Sequence, residues 1–347
     1  MATTNVDGDR DSAVDLKSPV DMDRVQVHYF RCTSLRRLYY SPPMRRFLDE
    51  SMAKWDLVHT HSVFLWPTAA AARIARSRGK PYVLSPRGML VRDMISRRNA
   101  LLKRAWISLV ERRNVSGAAA IHVTSAVERD ELLALGLEAR RVFEIPNGID
   151  LPGENADRTA PVDREMGNGY VLFLGRISWK KGLDRLVTSL ASSPAIHLVV
   201  AGNDDEQYWP VLARQAEGLG VADRIRYIGF VDGERKRDAI ARASALVLPS
   251  YSENFGNVVL EAMAAGVPVV VTPEVGIAPI VAESRSGLVV PGEPAQLGAA
   301  LARISSDTTL AAELGANGRA AARRYSWSSI AERMEREYSA ILEAAPR

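Results

Sequence analysis

The sequence predicts an α/β protein with two doubly wound domains, each a parallel sheet covered by helices. Short apolar runs alternate with helical stretches in both halves of the chain, as in strand–helix–strand units. At roughly 150 residues per domain, 347 residues correspond to about two domains. A polar segment at 150–168 with two prolines separates the two series. The predicted divisions are a first domain at 1–155, a second at 169–325 and a C-terminal helical segment at 326–347, which we expect to cross back to the first domain.

The first domain is predicted to hold five strands and four helices. The strands are predicted at 25–30, 57–61, 81–85, 118–124 and 141–146, and the helices near 43–54, 66–78, 99–115 and 126–135. No strand is predicted before Val25, although a doubly wound domain ordinarily opens on an apolar strand and a Gly-rich turn.

The second domain repeats the alternation with clearer boundaries. Its strands are predicted at 170–175, 196–201, 225–229, 245–249, 267–272 and 287–290, and its helices at 183–192, 208–218, 234–243, 257–265, 294–305 and 308–324. A last helix at 327–344 follows Ser326, a candidate N-cap. Open α/β sheets bind ligands at the carboxyl ends of their strands, so we expect functional residues there.

The charge of the chain is unevenly distributed. The net charge is +4, but residues 1–150 hold 24 basic against 17 acidic residues, a net charge of +7. Residues 31–113 hold 18 basic against 5 acidic residues, a net charge of +13. Such a segment attracts phosphates, anionic lipid or nucleic acid. The alternative interpretation is a set of Arg-rich helix faces exposed to solvent.

Composition argues against several classes of protein. No apolar run approaches the roughly 20 residues of a membrane span, and the N-terminus does not resemble a secretion signal. A single cysteine, Cys32, excludes an internal disulfide and a cysteine-based zinc cluster. No G-x-G-x-x-G joins a strand to a helix, which argues against a nicotinamide dehydrogenase. These features predict a cytoplasmic protein.

The most informative segment is 245–272. A buried strand leads into a polar loop and then a short helix that ends at Gly266. The helix N-terminus favours an anion, and Gly256 would let the backbone approach a phosphate closely. Glu253 in the loop and Glu261 about one turn into the helix can face one pocket and accept hydrogen bonds from sugar hydroxyls. Either glutamate alone is more simply a surface residue, but the whole string favours a sugar site.

A second cluster lies at 170–184, where a strand again ends in glycine. Arg176 follows that glycine directly, and Lys181 precedes Gly182 and a helix. Two cations at the top of this strand could hold a diphosphate and stabilise charge on a leaving group. The alternative interpretation is two basic residues in an exposed loop.

Together these motifs resemble those of the group 1 (family-four) retaining glycosyltransferases of the GT-B fold. The resemblance is carried by Gly175-Arg176 with Lys181-Gly182, and by Glu253 and Glu261 followed by Ala-x-Gly-Val-Pro-Val. Further matches are Ala201-Gly202, the string Ile-Pro-Asn-Gly-Ile-Asp at 145–150 and the string Ser-Pro-Arg-Gly-Met-Leu at 85–90. The resemblance covers about residues 25–340.

The resemblance implies two Rossmann-like domains facing across a cleft and transfer of a sugar from a nucleotide-diphosphate donor to a hydroxyl acceptor. No metal cofactor is expected, and the anomeric configuration would be retained through front-face attack. Arg176 and Lys181 would contact the donor diphosphate, Glu253 would hold the transferred sugar, and Glu261 would bind the ribose. The other implied donor contacts are Gly175, Gly202, Phe230, Val231, Asn254, Phe255, Gly256, Asn257 and Val258.

Two departures from the family pattern bear on activity. Arg87 stands where many relatives carry a histidine that approaches the sugar. The strand, Gly-Gly loop, helix and second strand that open the family are not found, which predicts an incomplete N-terminal domain lacking about 40 to 50 residues. A catalytically impaired remnant that only binds nucleotide-sugar or partners is therefore an alternative. A GT-B nucleotide-sugar 2-epimerase is a lesser one.

The acceptor side is predicted from fewer residues. Arg87, His59 and His122 are the acceptor-side candidates, and His59 with His61 on one strand lacks a third metal ligand. We expect a lipid-linked or glycan acceptor in cell-surface polysaccharide or glycolipid synthesis. Aromatic residues among the arginines favour an anionic membrane surface at the inner face of the cell membrane over nucleic acid, with core packing as the default. They are Tyr39, Tyr40, Phe47, Trp55, Phe64 and Trp66.

Overall fold

The computed structural model describes residues 1–97, 99–151 and 169–344 and divides the chain into two units. The first unit comprises Met1–Ile145 and Arg333–Arg347, and the second comprises Pro146–Glu332. The divisions predicted from the sequence lie at 155 and 326. Most of the predicted linker at 150–168 lies outside the described residues.

Three sheets contain the strands of the first unit. The strands are β1 Ala2–Thr4, β2 Val6–Asp7, β3 Arg10–Asp11, β4 Val20–Met22, β5 Val25–Phe30, β6 Val58–His61, β7 Tyr82–Ser85, β8 Ala120–Val123 and β9 Val142–Glu144. β1, β5 and β4 lie side by side in that order, and β2 pairs with β3. β6 to β9 form a parallel sheet in chain order, so their carboxyl ends lie along one edge.

The first 24 residues contain strands, so the prediction that none precedes Val25 is wrong. These strands are two or three residues long and are defined by their pairing. Thr4 lies opposite Phe30 in a parallel ladder, and Val20 lies opposite Val27 in an antiparallel one. Segments this short cannot show the alternation of apolar and polar residues from which a strand is predicted.

Six helices precede the last strand among the described residues of the first unit, and a π-helical turn that ends on a buried carboxylate lies between two of them. The helices are α1 Pro42–Ser51, α2 Trp66–Ser77, α3 Arg92–Arg97, α4 Ala100–Trp106, α5 Arg112–Gly117 and α6 Ala126–Ala134. A π-helical turn at Ile107–Glu111 divides the predicted helix at 99–115. The buried Glu111 carboxylate accepts hydrogen bonds from the Phe64 backbone N–H (2.9 Å), the Trp106 indole N–H (2.7 Å) and the Asn114 amide (3.1 Å). These bonds join the helical segment to the loop after β6.

The second unit is built on a six-stranded parallel sheet. Its strands are β10 Val171–Leu174, β11 Leu198–Ala201, β12 Ile225–Tyr227, β13 Ala245–Leu248, β14 Val269–Val271 and β15 Gly287–Val289. Their order is β12-β11-β10-β13-β14-β15, the arrangement of nucleotide-binding doubly wound sheets. β10 and β13 are neighbours at the position where the strand order reverses, and ligands of such sheets bind there.

Helices surround this sheet, and two predicted caps are confirmed. The helices are α7 Leu183–Ser189, α8 Trp209–Gly218, α9 Gly233–Ala241, α10 Asn257–Ala265, α11 Ala278–Ser284, α12 Pro294–Ser306 and α13 Thr308–Ala322. The last helix, α14 Trp327–Ala344, begins in the second unit and belongs to the first unit from Arg333 on. α10 ends at Gly266 in the left-handed conformation, and the Ser326 hydroxyl accepts a hydrogen bond from the Ser329 N–H (3.2 Å) at the start of α14. α11 was not predicted, because its seven residues are fewer than the window of about 11 to 18 residues in which helical periodicity is recognised. None of the helices in the described ranges has the length and apolar character that crossing a membrane requires.

Candidate functional site

The turns after β10 and β11 meet at the carboxyl edge of the second unit's sheet. Gly202 has a φ of +144°, and a Cβ added there would overlap the carbonyl oxygen of Gly175. The Gly202 N–H donates to the Gly229 carbonyl (2.8 Å), and the Tyr227 hydroxyl donates to the Gly202 carbonyl (2.8 Å). Three neighbouring strand ends are thereby joined through backbone groups and one tyrosine hydroxyl.

Lys181 reaches this edge from a 3-10 turn at Trp179–Lys181. The turn ends at Gly182, whose φ is +67° and whose added Cβ would overlap the carbonyl oxygen of Pro249. This contact holds the loop after β10 against the end of β13. The Lys181 Nζ lies 3.9 Å from the position that a Cβ on Gly175 would occupy. The predicted cation therefore lies beside the turn that the sequence associates with a diphosphate.

Lys181 and Glu253 form an ion pair between the Nζ and Oε2 atoms. Each side chain is 19% exposed, so the pair is partly shielded from water. The loop that carries Glu253 is fixed by its backbone: the Glu253 N–H donates to the Glu274 carbonyl (3.2 Å), and the Gly276 N–H donates to the Glu253 carbonyl (2.9 Å). The structure thus brings together one predicted cation and one predicted carboxylate from loops that are far apart in the sequence.

The residues after Glu253 differ in what they offer to a ligand. The Phe255 side chain is buried in the core, and the Ile277 N–H donates to the Phe255 carbonyl (2.9 Å). Gly256 has a φ of +96° and precedes α10 directly. Asn254 and Val258 lie on either side of this corner. The first N–H groups of a helix have no acceptor within the helix, so this corner can bind an anion.

Asn257 at the start of α10 contacts a residue that the sequence analysis noted without a role. The Asn147 amide nitrogen donates to the Asn257 Oδ1 (2.9 Å). Asn147 belongs to the string at 145–150, and this hydrogen bond ties that string to the N-terminus of α10. Its position in a recognised string was a signal, but the partner could not be inferred from the sequence.

Glu261 pairs with Lys236 of α9, with 2.5 Å between the Oε2 and Nζ atoms. Both side chains are partly exposed. Lys236 was not among the predicted site residues, because it lies in a run of charged residues in which no spacing distinguishes it. The carboxylate expected to bind a ribose is therefore accompanied by a cation that the sequence did not indicate.

The remaining predicted donor residues lie at the same strand ends. Arg176 is exposed just beyond β10, and among the described residues it forms no ion pair. Phe230 is exposed and follows Gly229, whose carbonyl binds Gly202, whereas Val231 is buried in the core. Arg176 and Phe230 are thus available to a ligand, and Val231 supports the backbone beneath them.

A continuous series of hydrogen bonds crosses the carboxyl ends of β6, β7 and β8 in the first unit. The His59 Nδ1 lies 2.5 Å from the Tyr338 hydroxyl, and the His59 Nε2 lies 2.9 Å from the Ser85 Oγ. The Ser85 Oγ lies 2.7 Å from the His122 Nδ1, and the His122 Nε2 lies 2.8 Å from the Ile145 carbonyl oxygen. The series joins α14 to the three strand ends.

The last acceptor determines the direction of every bond in this series. The Ile145 carbonyl can only accept, so the His122 Nε2 carries the proton and the Nδ1 accepts from the Ser85 hydroxyl. Ser85 then accepts from the His59 Nε2–H, and the Tyr338 hydroxyl donates to the His59 Nδ1. Both histidines are neutral: burial above all lowers the pKa of His59 to about 2 and that of His122 to about 4.

Arg87 and His61 form the second part of this region. The Arg87 Nε and Nη2 atoms each lie 3.1 Å from the His61 Nδ1. Burial, and then the charge of Arg87, lower the pKa of His61 to about 4. His61 therefore accepts from the guanidinium as a neutral imidazole. The three acceptor-side candidates and His61 thus lie at one edge of the sheet.

A buried carboxylate that the sequence analysis missed holds the Arg87 loop. Glu128 is 4% exposed, and its Oε1 accepts from the Gly88 N–H (2.5 Å) while its Oε2 accepts from the Thr124 N–H (2.8 Å). The Ser125 hydroxyl in turn accepts from the Glu128 N–H (3.2 Å). The spacing Ser125-x-x-Glu128 is that of a capping box, so a signal was present in the sequence.

Both halves of the chain, and the chain as a whole, are similar to known proteins. Residues 158–321 match the family described as "Glycosyl transferases group 1", and residues 2–148 match the "Glycosyl transferase 4-like domain". The chain is 30% identical over 326 residues to D-inositol 3-phosphate glycosyltransferase of Xylanimonas cellulosilytica, covering 87% of this chain and 76% of that protein. It is 30% identical over 325 residues to phosphatidyl-myo-inositol mannosyltransferase of Mycobacterium leprae, covering 89% and 80%.

Solved structures share the fold at lower sequence identity. Anabaena HepE, solved in complex with UDP and glucose, has a TM-score of 0.74 and 21% identity, covering 91% of this chain and 87% of that one. Sucrose-phosphate synthase from Thermosynechococcus elongatus has a TM-score of 0.75 and 23% identity, covering 99% and 89%. These likenesses identify the architecture of the chain.

We expect the Gly202→Ala substitution to destabilise the protein by about 2 kcal/mol or more, because the added Cβ would overlap the Gly175 carbonyl in a left-handed conformation. Chemical unfolding of the two proteins measures the difference. Gly218→Ala is the control, since a Cβ there meets no atom within 4 Å. Equal stabilities of the Gly202→Ala variant and the unaltered protein would contradict this account of the turn.

We expect the free energy of unfolding to fall as the pH drops below about 6.5. The pKa values of His59, His61 and His122 are lowered in the folded protein, so the unfolded chain binds more protons in this range. For His122 the loss between about pH 6.5 and pH 5 is up to about 2 kcal/mol. Thermal or chemical unfolding at a series of pH values measures it.

The matched pair for this experiment is His122→Gln and His197→Gln. His197 is exposed, so its replacement should leave the pH profile unchanged. The His122→Gln profile should be flatter between about pH 6.5 and pH 5. Identical profiles for both variants would show that the buried series does not couple folding to pH.

Proposed function

Because this chain belongs to the group 1 glycosyltransferases, which confirms the predicted family, enzyme class and GT-B fold, we propose that it moves a sugar from a nucleotide-diphosphate donor to a hydroxyl acceptor with retention of the anomeric configuration. HepE is solved with UDP and with UDP-glucose, which supports a donor of this class. The observation that carries the proposal is the ion pair of Lys181 with Glu253 beside the Gly175 turn.

Lys181 and Arg176 act on the leaving group in this proposal. When the bond between the sugar C1 and the diphosphate oxygen breaks, both electrons go to that oxygen and negative charge develops there. Lys181 beside Gly175, Arg176 beyond β10 and the first N–H groups of α10 are the groups that stabilise it. A bound diphosphate competes with Glu253 for Lys181, which frees the Glu253 carboxylate to accept hydrogen bonds from the transferred sugar.

The remaining step uses the acceptor and requires no enzyme nucleophile. The acceptor hydroxyl oxygen attacks C1 from the face that the diphosphate leaves, and its proton passes to the departing phosphate oxygen. Glu253 differs in this role from the paired carboxylates of retaining glycoside hydrolases, one of which bonds to the sugar. Glu261, with Lys236, is assigned to the ribose, and Phe230 to the base.

The acceptor is proposed to be a hydroxyl compound of cell-surface polysaccharide or glycolipid synthesis. Two relatives are named for D-inositol 3-phosphate and for phosphatidyl-myo-inositol, which are hydroxyl compounds with a phosphate group. The groups assigned to the acceptor are Arg87 with His61 and the His59–Ser85–His122 series. We place this reaction in the cytoplasm at the membrane surface, as the basic segment 31–113 suggests.

The Glu253→Ala substitution should lower turnover by on the order of a hundredfold or more, because the carboxylate acts at the transferring sugar. The measurement is release of nucleoside diphosphate from nucleotide-sugar donors, together with circular dichroism to check folding. Glu274→Ala is the matched control, since the Glu274 side chain is exposed and only its backbone carbonyl holds Glu253. Near-normal turnover by the Glu253→Ala variant would contradict the role.

Replacement of Lys181 by alanine should weaken binding of the nucleoside diphosphate about tenfold or more, since a cation beside the diphosphate is lost. Titration calorimetry with the free diphosphate measures this affinity without turnover. Arg214→Ala removes an exposed positive charge on α8 of the same unit and serves as the control. An unchanged affinity for the Lys181→Ala variant would remove Lys181 from the site. Diphosphate binding without turnover would indicate a binding protein rather than an enzyme.

A further inference from the structure

An exposed apolar surface and a group of arginines lie on neighbouring helical segments of the first unit, and none of these residues is assigned to the reaction. Leu101, Leu102 and Leu109 are 83%, 69% and 65% exposed, and Leu101 is the most exposed large hydrophobic side chain in the described parts of the chain. They lie on α4 and the π-helical turn that follows it. We call these three leucines the leucine face.

A cavity of about 380 Å³ adjoins the same helical segment. Three arginines, Arg92, Arg104 and Arg112, are among the residues that line it, together with Ser96 and Ser108. Arginine donors arranged around a cavity suit a phosphate group, which can accept several hydrogen bonds at once. We call this the arginine cavity.

The net charge at the arginine cavity remains positive when the neighbouring carboxylates are included. Arg92 lies 3.6 Å from the Glu131 carboxylate, and Arg112 donates to the Gly136 carbonyl (3.3 Å). Arg104 is exposed and forms no ion pair with any residue in the described ranges. The nearby Glu111 carboxylate is buried and directed to Phe64, Trp106 and Asn114. Residues 92–113 hold seven basic and two acidic residues.

We propose that the leucine face and the arginine cavity bind the surface of an anionic phospholipid membrane. The leucines enter the boundary between head groups and acyl chains, and the arginine cavity takes the phosphate of a head group. A helical segment that presents aliphatic side chains beside Lys and Arg is the pattern of interfacial membrane binding. The inference extends the proposed function by bringing a lipid-linked acceptor to the enzyme.

Nucleic acid and a second copy of the chain fit this surface less well. Binding of single strands relies on exposed aromatic rings, but Trp106 is partly buried and bonded to Glu111. Four of the aromatic residues among the arginines pack within the unit, as the default interpretation expected: Phe47 contacts Phe30 and Trp55, and Tyr40 contacts Trp66. A second copy joined through this face would place arginines against arginines. Aliphatic and cationic groups together favour the lipid surface.

The test is co-flotation of the full chain with vesicles of phosphatidylcholine, with and without phosphatidylglycerol. Binding is expected only with phosphatidylglycerol, and it should weaken as salt is added. The double substitution Leu101→Gln with Leu102→Gln should lower the partition coefficient about tenfold or more. Arg104→Gln should lower it about fivefold, the effect of one basic residue near an anionic surface.

Two substitutions control for general effects on the chain. Leu219→Gln alters an exposed leucine of the second unit, and Arg73→Gln removes an exposed charge on α2 within the same basic segment. Loss of binding in the leucine-face and Arg104 variants but not in these controls supports the proposal. Four outcomes would overturn it. Two concern the vesicles: equal losses of binding in Arg73→Gln and Arg104→Gln, or equal binding of the unaltered chain to both kinds of vesicle. The other two are binding of an RNA oligomer in place of vesicles, and a dimer that the leucine substitutions abolish.

This experiment can fail independently of the proposed function. Nucleoside diphosphate release from a donor, measured without lipid, should be unchanged in the leucine-face and Arg104 variants. Turnover without any binding to vesicles would overturn the membrane inference and leave the transferase proposal standing. Vesicle binding without turnover would overturn the transferase proposal and leave the membrane inference standing.

Discussion

Main-chain contact between strand ends is the constraint on which the second unit's site depends. Gly202 lies against the Gly175 carbonyl, and Gly182 lies against the Pro249 carbonyl, with no room for a side chain at either contact. A parallel sheet brings the ends of its strands to one edge however far apart they are in the sequence. The glycines then allow the loops themselves to touch. The ion pair of Lys181 with Glu253 follows from this, because its two residues belong to loops held together at Gly182.

The ion pairs at this edge allow cationic side chains to be partly buried. Shielding a lone ammonium group from water is costly, and an adjacent carboxylate offsets part of that cost. Lys181 has Glu253 for this purpose, and Lys236 has Glu261. An anionic ligand that binds here takes the place of the carboxylate beside the ammonium group, so the cation is already in position. The chain thus holds these cations in position without a ligand, which is the preorganisation that electrostatic stabilisation requires.

Sequence and structure agree most closely where local patterns suffice. The four central strands of the second unit are buried apolar runs, and the helix caps at Gly266 and Ser326 depend on neighbouring residues only. Lys236 was missed because its contact with Glu261 depends on how α9 faces α10, which spacing along the chain does not encode. The short strands before Val25 were missed because pairing with β5 and with each other defines them. Glu128 could have been found from its capping spacing, but its bond to the Gly88 N–H arises only in the folded chain.

The direction of the histidine series has a consequence for the C-terminal helix. Ile145 is the last residue of the first unit's main segment, and its carbonyl is the acceptor that orients every donor as far as Tyr338. If that peptide group rotated, the proton on the His122 Nε2 would lose its acceptor. Both imidazole rings could then change tautomer together. A change of backbone torsion angles at Ile145, where the chain leaves the first unit, would thereby reverse the dipole of the hydrogen-bond series that ends at Tyr338 of α14.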